Sequence, residues 1–316
     1  MRHFVAVSDV SAQELQYLIT TAEAMKAAWS SGRRDLTMSG RCMALLFEKP
    51  SLRTRVSFEA AMEQLGGSCI FINAVEVGLG VRESISDFAR VISQYVDVLV
   101  ARVHRHEQVK ELCRHATVPI INGLSDLAHP CQALADLLTV RELFGQIEGR
   151  TLVFVGDGNN VARSLAMGCR AAGARFVLAA PPGYEFPQEF LDRLHRTPGS
   201  GSVRLLPDPA AAVVDADVIY TDVWTSMGQE AETDRRRRAF VDYQVNLKLL
   251  GLAPEHVRVM HCLPAHRGEE ITEEVIDGPK SVVVLQAANR LHAQKALLVW
   301  LLANVSNQVA PPPREP

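Results

Sequence analysis

Arginine and hydroxyl side chains stand together near the start of a predicted helix, in the run FEKPSLRTR from Phe47 to Arg55. The run follows a predicted buried strand, and a helix start offers unpaired backbone N–H groups and the positive end of the helix dipole. Ser51 and Thr54 add two hydroxyls to that helix start, and Arg53 and Arg55 add two guanidinium groups. The segment therefore predicts a pocket for an anion such as phosphate. The competing interpretation is an ordinary serine cap followed by solvated arginines.

A second candidate segment is the run HPCQ from His129 to Gln132, which opens another predicted helix. Proline at the first helical position sets the entry of the chain. An imidazole and a carboxamide at this place can hold a carbonyl oxygen as it becomes an oxyanion. A histidine at a helix start is more often a cap. This segment therefore indicates a ligand site only in combination with the run from Phe47 to Arg55. Asp136, one turn further on, either orients a neighbouring group or faces solvent.

Charged residues also follow two predicted strands. Arg102 comes after the strand predicted at 96–100, and Asp222 follows the strand Val218–Thr221. Ligands of open parallel sheets bind outside the carboxyl ends of the strands, so both side chains are candidates for a ligand crevice. Asp222 suits an ammonium group, and Ser226 with the next residues suits a loop that folds over a ligand. For Arg102 alone, a strand-end arginine in solvent is an equally good interpretation.

The run GDGNNV from Gly156 to Val161 resembles the start of a dinucleotide site but departs from it. The fingerprint requires a third glycine where Val161 stands, and no acidic residue ends the next strand, so NAD is rejected. Two amides at a helix start, the second of them Asn160, fit a ligand carboxylate instead.

Cysteine and histidine are adjacent in the run HCLPAH from His261 to His266, after the strand predicted at 257–260. A thiol beside an imidazole suggests a nucleophile. Adjacent residues of an extended chain face opposite ways, however, so Cys262 and His261 need not form a catalytic dyad. The spacing of the run is also a poor match to known zinc sites, and no metal is predicted.

The composition is that of a globular protein and excludes several functional classes. Of the 316 residues 47% are hydrophobic and 22% are charged, and the formal net charge is −3. The length predicts two domains. The small net charge argues against nucleic acid or a membrane surface as a partner. The run of arginines at 235–238 is expected to be a solvated face.

The chain is expected to be a soluble, cytoplasmic protein. Its first residues lack the apolar core of a signal peptide, and the apolar stretch at 296–305 is shorter than the ~18 residues of a membrane helix. The six cysteines are then expected to stay reduced.

Short apolar strands alternate with helical patterns along the whole chain, which predicts an α/β fold of parallel sheets flanked by helices. A polar break at 145–150 separates two such series. The predicted strands are 42–47, 69–72, 96–100 and 118–121 in the first series, then 151–155, 176–179, 203–205, 218–221, 257–260 and 282–285. An amphipathic helix is predicted from about residue 288.

Taken in order, these segments resemble the aspartate/ornithine carbamoyltransferase family, on its ornithine branch. The motifs that carry the resemblance are S-x-R-T-R, H-P-C-Q, G-D-G-N-N, D-V-W-x-S-M-G, H-C-L-P and a late N-R pair. The resemblance implies a carbamoyl-phosphate-binding domain at 1–145, joined by the C-terminal helix at 288–308 that packs back on it, and an ornithine-binding domain at 150–287. It also implies a homotrimer with active sites at subunit boundaries, and neither a metal nor an organic cofactor.

The resemblance assigns roles to individual residues of this sequence. The residues implied to bind carbamoyl phosphate are Ser51, Leu52 through its backbone, Arg53, Thr54, Arg102, His129, Gln132, Cys262, Leu263 and Arg290. Those implied to be catalytic are Arg102, His129, Thr54 and Cys262. Those implied to bind ornithine are Asn160 at the α-carboxylate and Asp222, Ser226 and Met227 at the α-amino end.

Three positions depart from the family pattern. Leu52 replaces a usual threonine, Gly78 stands where many members offer Gln or His across the subunit boundary, and Ala288 replaces an acidic residue before Asn289. Arg82 could take over the function lost at Gly78. These departures bear on affinity for carbamoyl phosphate more than on the type of reaction.

The reaction implied is transfer of the carbamoyl group from carbamoyl phosphate to the δ-amine of ornithine, giving citrulline and phosphate in arginine metabolism. Aspartate as acceptor would be repelled by Asp222, and putrescine would leave Asn160 without a carboxylate. N-acetylornithine lacks the ammonium group that Asp222 would bind, at a cost of ~1–3 kcal/mol. A carbamoyltransferase for one of these related amines and a non-catalytic binding homologue stay open as alternatives, and a dehydrogenase is the weakest.

Overall fold

The computed structural model describes residues 1–225 and 230–303, and it divides into two compact units. The first unit comprises Met1–Asp9, Tyr17–Asp126 and the described residues 291–303. The second comprises Val10–Gln16 and Leu127–Arg290.

The first unit is built on four parallel strands: β1 (Cys42–Phe47), β2 (Ser68–Asn73), β3 (Val98–Arg102) and β4 (Ile120–Leu124). They lie in the order β2-β1-β3-β4. Every residue of β3 is buried, as expected for a central parallel strand covered on both faces. The register places Phe47 opposite Arg102, so the chain that leaves β1 starts beside the arginine that ends β3.

The second unit is built on five parallel strands: β5 (Thr151–Val155), β6 (Arg175–Ala179), β7 (Ser202–Leu205), β8 (Val218–Thr221) and β9 (Arg258–His261). Their order is β7-β6-β5-β8-β9. Thr221 pairs with Val155 on one side and with His261 on the other. The residues that follow β5, β8 and β9 therefore start from neighbouring points on one edge of the sheet.

Helices connect the strands in both units. They are α1 (Ala12–Ser30), α2 (Leu52–Gln64), α3 (Ala74–Val77), α4 (Ile85–Ile92), α5 (His106–His115), α6 (Pro130–Phe144), α7 (Asn160–Ala172), α8 (Gln188–Arg196), α9 (Pro209–Ala212), α10 (Thr233–Phe240), α11 (Leu247–Leu250), α12 (Glu273–Ile276) and α13 (Val283–Ala303). Short 3-10 helices occur at Val7–Asp9, Glu230–Glu232 and Val241–Tyr243. The alternation confirms the predicted α/β architecture with two parallel sheets.

One predicted strand is wrong. The apolar run at 282–285 lies almost entirely in the first turn of α13, which begins at Val283. Strand-like pairing stops at Ser281, which bridges to Val259, and the Val282 N–H donates to the Val259 carbonyl. A short apolar run is compatible with either a buried strand or a buried helix turn, and the periodicity of four residues cannot separate them.

The C-terminal part of the last helix packs within the first unit, as predicted. The Lys295 ammonium lies 4.3 Å from the centre of the Trp29 ring on α1. The Arg2 guanidinium lies 5.2 Å from the centre of the Trp300 ring. Among residues 1–225 and 230–303, no helix combines the length and the apolar character needed to span a membrane.

Candidate active site

The predicted phosphate-binding segment of the first unit lies between the end of β1 and the first turn of α2. Ser51 occupies the cap position with an extended backbone (φ −157°, ψ 106°), but its hydroxyl makes no hydrogen bond to the helix. The ordinary serine cap is therefore not formed, and the hydroxyl is available to a ligand at the helix start. Arg53 is half-buried. Arg55, which was predicted to join it at the pocket, instead pairs with Glu59 at 2.9 Å on the outside of the helix.

A buried hydroxyl and guanidinium meet behind this segment. Thr54 is 2% exposed and Arg102 is 7% exposed. The Arg102 Nη1 donates to the Thr54 Oγ1 at 3.4 Å. Arg102 is therefore not the solvated strand-end arginine that the sequence also allowed. A guanidinium and a hydroxyl in contact provide several donors for an anion at one point.

Glu48 is a positioning residue of this site that the sequence did not reveal. Its backbone N–H donates to the Arg102 carbonyl at 2.9 Å. Its carboxylate accepts the His104 N–H at 2.5 Å and a hydrogen bond from the Gln108 amide. These bonds tie the exit of β1 to the exit of β3, and so place the helix start next to Arg102. Only the register of the two strands could have singled it out.

His129 and Gln132 in the second unit are both buried at the start of α6. His129 is 6% exposed, and its side chain does not cap the helix, which removes the simplest structural explanation for it. Its backbone N–H donates to the Ser164 Oγ at 2.8 Å. Gln132 is 1% exposed, and its carbonyl oxygen accepts from the Arg290 Nη1. Two residues predicted from separate motifs, Gln132 and Arg290, are thus in direct contact.

Asp222 lies in a cluster of donors at the end of β8. Its Oδ2 accepts from the Asn159 Nδ2 at 2.8 Å, and its Oδ1 accepts from the Val223 N–H at 2.9 Å and the Cys262 thiol at 3.0 Å. Asp222 is 8% exposed, so this is a nearly buried carboxylate with both oxygens oriented. Such a group binds an ammonium ion with defined geometry.

Asn159 and Asn160, the two amides of the run from Gly156 to Val161, make different contacts. Asn159 caps α7, because its Oδ1 accepts from the backbone N–H groups of Val161 and Ala162, both at 3.0 Å. Its remaining amide hydrogens reach Asp222. Asn160 is the first residue of the helix and is half-buried, at the place predicted for a ligand carboxylate. The sequence indicated both amides but did not show that Asn159 connects the start of α7 to Asp222.

Cys262 and His261 do not form a nucleophilic dyad. The His261 Nδ1 accepts from the Leu263 N–H at 2.8 Å, and its Nε2 lies 3.0 Å from a carboxylate oxygen of the fully buried Glu270. Both ring nitrogens are therefore occupied away from the thiol. Burial, followed by the nearby Asp222 carboxylate, raises the pKa of the Cys262 thiol well above its ordinary value. The thiol stays protonated and donates its hydrogen to Asp222.

The chemistry of this cluster also argues against a cation site. One donor atom from each of Asp222, His261 and Cys262 lies within 4.8 Å of the others. A metal would need the thiolate, which the raised pKa disfavours, and an imidazole nitrogen already used in a hydrogen bond. Instead, the Cys262 thiol donates to Asp222, and the His261 ring is hydrogen-bonded to the Leu263 N–H and to Glu270.

Leu263 has an unusual backbone conformation. Its φ is +58°, in the left-handed region that costs a non-glycine residue about 1–2 kcal/mol. The hydrogen bond from its N–H to His261 holds this conformation. A conformation kept at such a cost next to a site is typical of a residue whose backbone groups contact a ligand.

One arginine of the charge run is buried, which makes the prediction of a solvated face wrong at that position. Arg236 is 3% exposed, and it donates to the Asp157 carboxylate and to the Trp224 carbonyl. Burial raises the pKa of Asp157, and the adjacent Arg236 opposes that rise. This pair ties the chain after β8 to the chain after β5. Like charges in a row gave no signal that one of them points inward.

The remaining predicted site residues and the three departures are placed as follows. Ser226 and Met227 lie outside the described residues. Leu52 is 75% exposed, and Gly78 ends α3 in a left-handed conformation. Ala288 is exposed. The Arg290 guanidinium contacts Gln132, so its position does not depend on an acidic residue at 288.

The chain matches two family models along almost its entire length. The carbamoyl-P binding domain of aspartate/ornithine carbamoyltransferase matches residues 2–142, and the Asp/Orn binding domain matches residues 148–301. The chain belongs to the aspartate/ornithine carbamoyltransferase family. This confirms the resemblance inferred from the sequence motifs.

Family members of known name are similar over their full length. The anabolic ornithine carbamoyltransferase of Pyrococcus furiosus is 49% identical over 306 residues, covering 96% of this chain and 97% of that protein. The ornithine carbamoyltransferase of Bacillus subtilis is 46% identical over 303 residues, covering 95% and 94%.

The solved structures of family members agree with the fold. The ornithine carbamoyltransferase of Pyrococcus furiosus superposes with a TM-score of 0.91 at 49% identity, covering 96% of this chain and 97% of that one. That of Thermus thermophilus superposes with a TM-score of 0.86 at 43% identity, covering 96% and 99%.

Proposed function

We propose that this protein is an ornithine carbamoyltransferase, which transfers the carbamoyl group of carbamoyl phosphate to the δ-amine of ornithine. The products are citrulline and phosphate. The observation that carries the choice of acceptor is the nearly buried Asp222 carboxylate, whose two oxygens are oriented by Asn159, Val223 and Cys262. An α-ammonium group fits this carboxylate, and a second carboxylate on the acceptor would be repelled by it.

The acceptor is held at both ends of its amino-acid moiety. Asp222 binds the α-ammonium, and Asn160, at the start of α7, binds the α-carboxylate. The helix start adds backbone N–H groups and a favourable dipole for that carboxylate. Ser226 and Met227 complete the α-amino end. The named relatives are ornithine carbamoyltransferases, which supports the same choice.

The donor is held by its phosphate and by its carbamoyl group. Ser51, Arg53, Thr54 and the Leu52 backbone bind the phosphate at the start of α2. Arg102 contacts the phosphate and the carbamoyl oxygen. The residues that complete the carbamoyl end are His129, Gln132, Arg290 and the pair Cys262 and Leu263. The carbamoyl-phosphate-binding domain is then 1–145 with 288–308, and the ornithine-binding domain is 150–287.

The reaction is an acyl transfer in which the protein supplies position and charge. The neutral δ-amine attacks the carbamoyl carbon, and the C–O bond to phosphate breaks after a tetrahedral intermediate. Arg102, His129 and the Thr54 hydroxyl stabilise the oxyanion of that intermediate. A free δ-amine has a lysine-like pKa of about 10.4, and nearby cations such as Arg53 and Arg102 favour its neutral form. The departing phosphate takes the proton.

Cys262 acts in this scheme without becoming a nucleophile. Its protonated thiol donates to Asp222 and so holds the carboxylate that binds the acceptor. The neighbouring Leu263 presents its backbone to the carbamoyl group in the left-handed conformation described above.

The assembly we propose is a cytoplasmic homotrimer with active sites at the subunit boundaries, acting in arginine metabolism. A mass measurement of the purified protein in solution tests the trimer directly. A monomer that turns over at full rate would contradict sites shared between subunits.

A panel of acceptors tests the reaction. Purified protein with carbamoyl phosphate is given ornithine, N-acetylornithine, putrescine or aspartate, and product is measured by a colorimetric ureido assay. Ornithine is expected to react fastest, and the proposal is wrong if it reacts slowest. Binding of carbamoyl phosphate in titration calorimetry without turnover of any acceptor would instead identify a non-catalytic homologue.

A further inference from the structure

A fully buried carboxylate lies behind Gln132 and has no function in the reaction as proposed. Asp136, on α6, is 0% exposed. Its Oδ1 accepts from the Gln132 Nε2 at 2.9 Å and from the Gln286 Nε2 at 2.7 Å. A buried polar group requires such partners, and both partners here are carboxamides whose opposite ends point elsewhere.

The carboxylate decides which way the Gln132 amide faces. The Oδ1 of Asp136 accepts hydrogen bonds from the Gln132 and Gln286 amides, so the end of Gln132 that faces this oxygen is its NH2 group. The carbonyl oxygen is then directed to the opposite side, where the Arg290 Nη1 donates to it. A rotation of the amide by 180° would place oxygen against carboxylate and NH2 against guanidinium. Both charge-assisted hydrogen bonds would be lost, so the two neighbours specify one orientation.

Gln286 is oriented by the same rule. Its NH2 group donates to Asp136 and to the Tyr220 hydroxyl, at 2.7 and 3.0 Å. Its carbonyl oxygen accepts the His261 N–H at 2.9 Å, at the end of β9. One carboxylate therefore orients two amides, one beside Arg290 and the other at the base of the Cys262–Leu263 segment.

We propose that Asp136 is a positioning residue that presents the Gln132 carbonyl oxygen to the donor and thereby selects a carbamoyl over an acetyl phosphate. This inference rests on the proposed function. Carbamoyl and acetyl phosphate have the same phosphate and the same carbonyl, and differ in an NH2 group against a methyl group of similar size. Phosphate-binding residues cannot tell them apart, whereas a hydrogen-bond acceptor can.

The Gln132 oxygen has the capacity for this second bond. A carbonyl oxygen has two lone pairs, and Arg290 uses one of them. In the rotated amide an NH2 group would meet the NH2 group of the carbamoyl donor, which is a contact of two donors. The selection therefore depends on the orientation that Asp136 imposes, and Gln132 alone does not provide it.

Asp136→Asn is the informative substitution because it keeps the size of the side chain. Asparagine has one end that accepts and one end that donates, so it no longer forces the NH2 group of Gln132 toward itself. The control is Thr139→Val, one turn further along α6. Thr139 is also fully buried, and its hydroxyl accepts from the Asn289 amide of α13 at 3.0 Å.

The test is titration calorimetry of three ligands: carbamoyl phosphate, acetyl phosphate and inorganic phosphate. The wild type and T139V are expected to prefer carbamoyl over acetyl phosphate to a similar degree. In D136N that preference is expected to fall about tenfold or more, the value of one hydrogen bond to a buried group. Affinity for inorganic phosphate is expected to change less than twofold.

Three results would overturn the inference. One is an unchanged preference in D136N, another is an equal loss for all three ligands, and the third is the same drop in T139V. Gln132→Leu gives an independent test that leaves Asp136 bonded to Gln286. The preference of Q132L for carbamoyl over acetyl phosphate is expected to fall as it does in D136N. In the double variant the preference is expected to fall no further than in either single variant. The absence of citrulline formation by the wild type would refute the proposed function, whereas the binding preferences would still decide the function of Asp136.

Discussion

Replacement of Asp222 by asparagine is the most direct test of how the acceptor is recognised. The substitution removes the negative charge and keeps the shape. A hydrogen bond between charged partners contributes ~1.5–3 kcal/mol, and each 1.4 kcal/mol is about a factor of ten in binding. The KM for ornithine is therefore expected to rise about 10- to 100-fold. The affinity for carbamoyl phosphate is expected to stay within about twofold of the wild type.

The structure also predicts a cost in stability for D222N. One oxygen of Asp222 accepts from Asn159, and the other accepts from Val223 and Cys262. Asparagine has a single acceptor oxygen, so donors on one side lose their partner. An unsatisfied buried donor costs about 1–3 kcal/mol, and the melting temperature is expected to fall accordingly.

Asp217→Asn separates the loss of stability from the loss of recognition. Asp217 is 7% exposed and precedes β8, whereas Asp222 follows the same strand. Its carboxylate accepts from the Thr151 N–H at 2.8 Å and from the Arg150 guanidinium at 3.0 Å. D217N is expected to lower the melting temperature and to leave the KM for ornithine unchanged.

The assay is the initial rate of citrulline formation at saturating carbamoyl phosphate, with ornithine and N-acetylornithine as acceptors. Because N-acetylornithine has no α-ammonium group, the ratio of kcat/KM between the two acceptors is expected to shift toward N-acetylornithine in D222N. An ornithine KM within twofold of the wild type would refute the assignment of Asp222. An equal loss with both acceptors would refute it as well.

Three further outcomes follow from the structure. Burial raises the pKa of Asp136 to about 7, so the folded state binds a proton more tightly than the unfolded state between about pH 4 and pH 7. As the pH rises from about 4 to about 7, the free energy of unfolding of the wild type is therefore expected to fall by up to about 4 kcal/mol relative to D136N, at about 1.4 kcal/mol per unit. Denaturant titrations at a series of pH values measure this fall, and parallel pH curves for the two proteins would contradict it. Cys262→Ser is expected to keep kcat within about tenfold, since the serine hydroxyl can still donate to Asp222 and no thiolate is used; rapid alkylation of wild-type Cys262 by iodoacetamide, followed by mass spectrometry, would speak against a protonated thiol. Arg236→Leu leaves Asp157 buried without its cation, so the free energy of unfolding is expected to fall by about 3–5 kcal/mol, and a melting temperature equal to that of the wild type would show that the pair does not brace the fold.

Much of the fold could be predicted because parallel strands are buried on both faces and read as continuous apolar runs. The predicted strand at 42–47 coincides with β1, and that at 151–155 coincides with β5. The strand predicted at 96–100 is shifted by two residues, so that Arg102 is the last residue of β3 and does not follow it. The start of α13 was mistaken for a strand because four apolar residues have no decisive period.

The site could be predicted where a residue type and a local element together indicate a ligand. Arg53 and Thr54 at a helix start are a case of this kind, and so are His129 and Gln132. The residues that hold the site together gave no such signal. Glu48, Asn159 and Arg236 act through partners 56, 63 and 79 residues away in the sequence. No spacing rule connects residues at such distances, since the partner is chosen by the register of the sheet.

The sequence by itself determined which chemical groups the protein possesses and on which element each one stands. An apolar run forms a strand and a cap or a proline starts a helix, because these preferences depend on a few neighbouring residues. The tertiary structure alone decided the orientation of the groups. From the sequence alone, Asp136 could equally well face solvent or orient a neighbouring group. In the folded protein, the Gln132 and Gln286 amides both donate hydrogen bonds to one of its oxygens. The two orientations of a side-chain amide have almost the same shape. Only the partners that the fold places at each end, an acceptor at one and a donor at the other, decide which orientation is adopted.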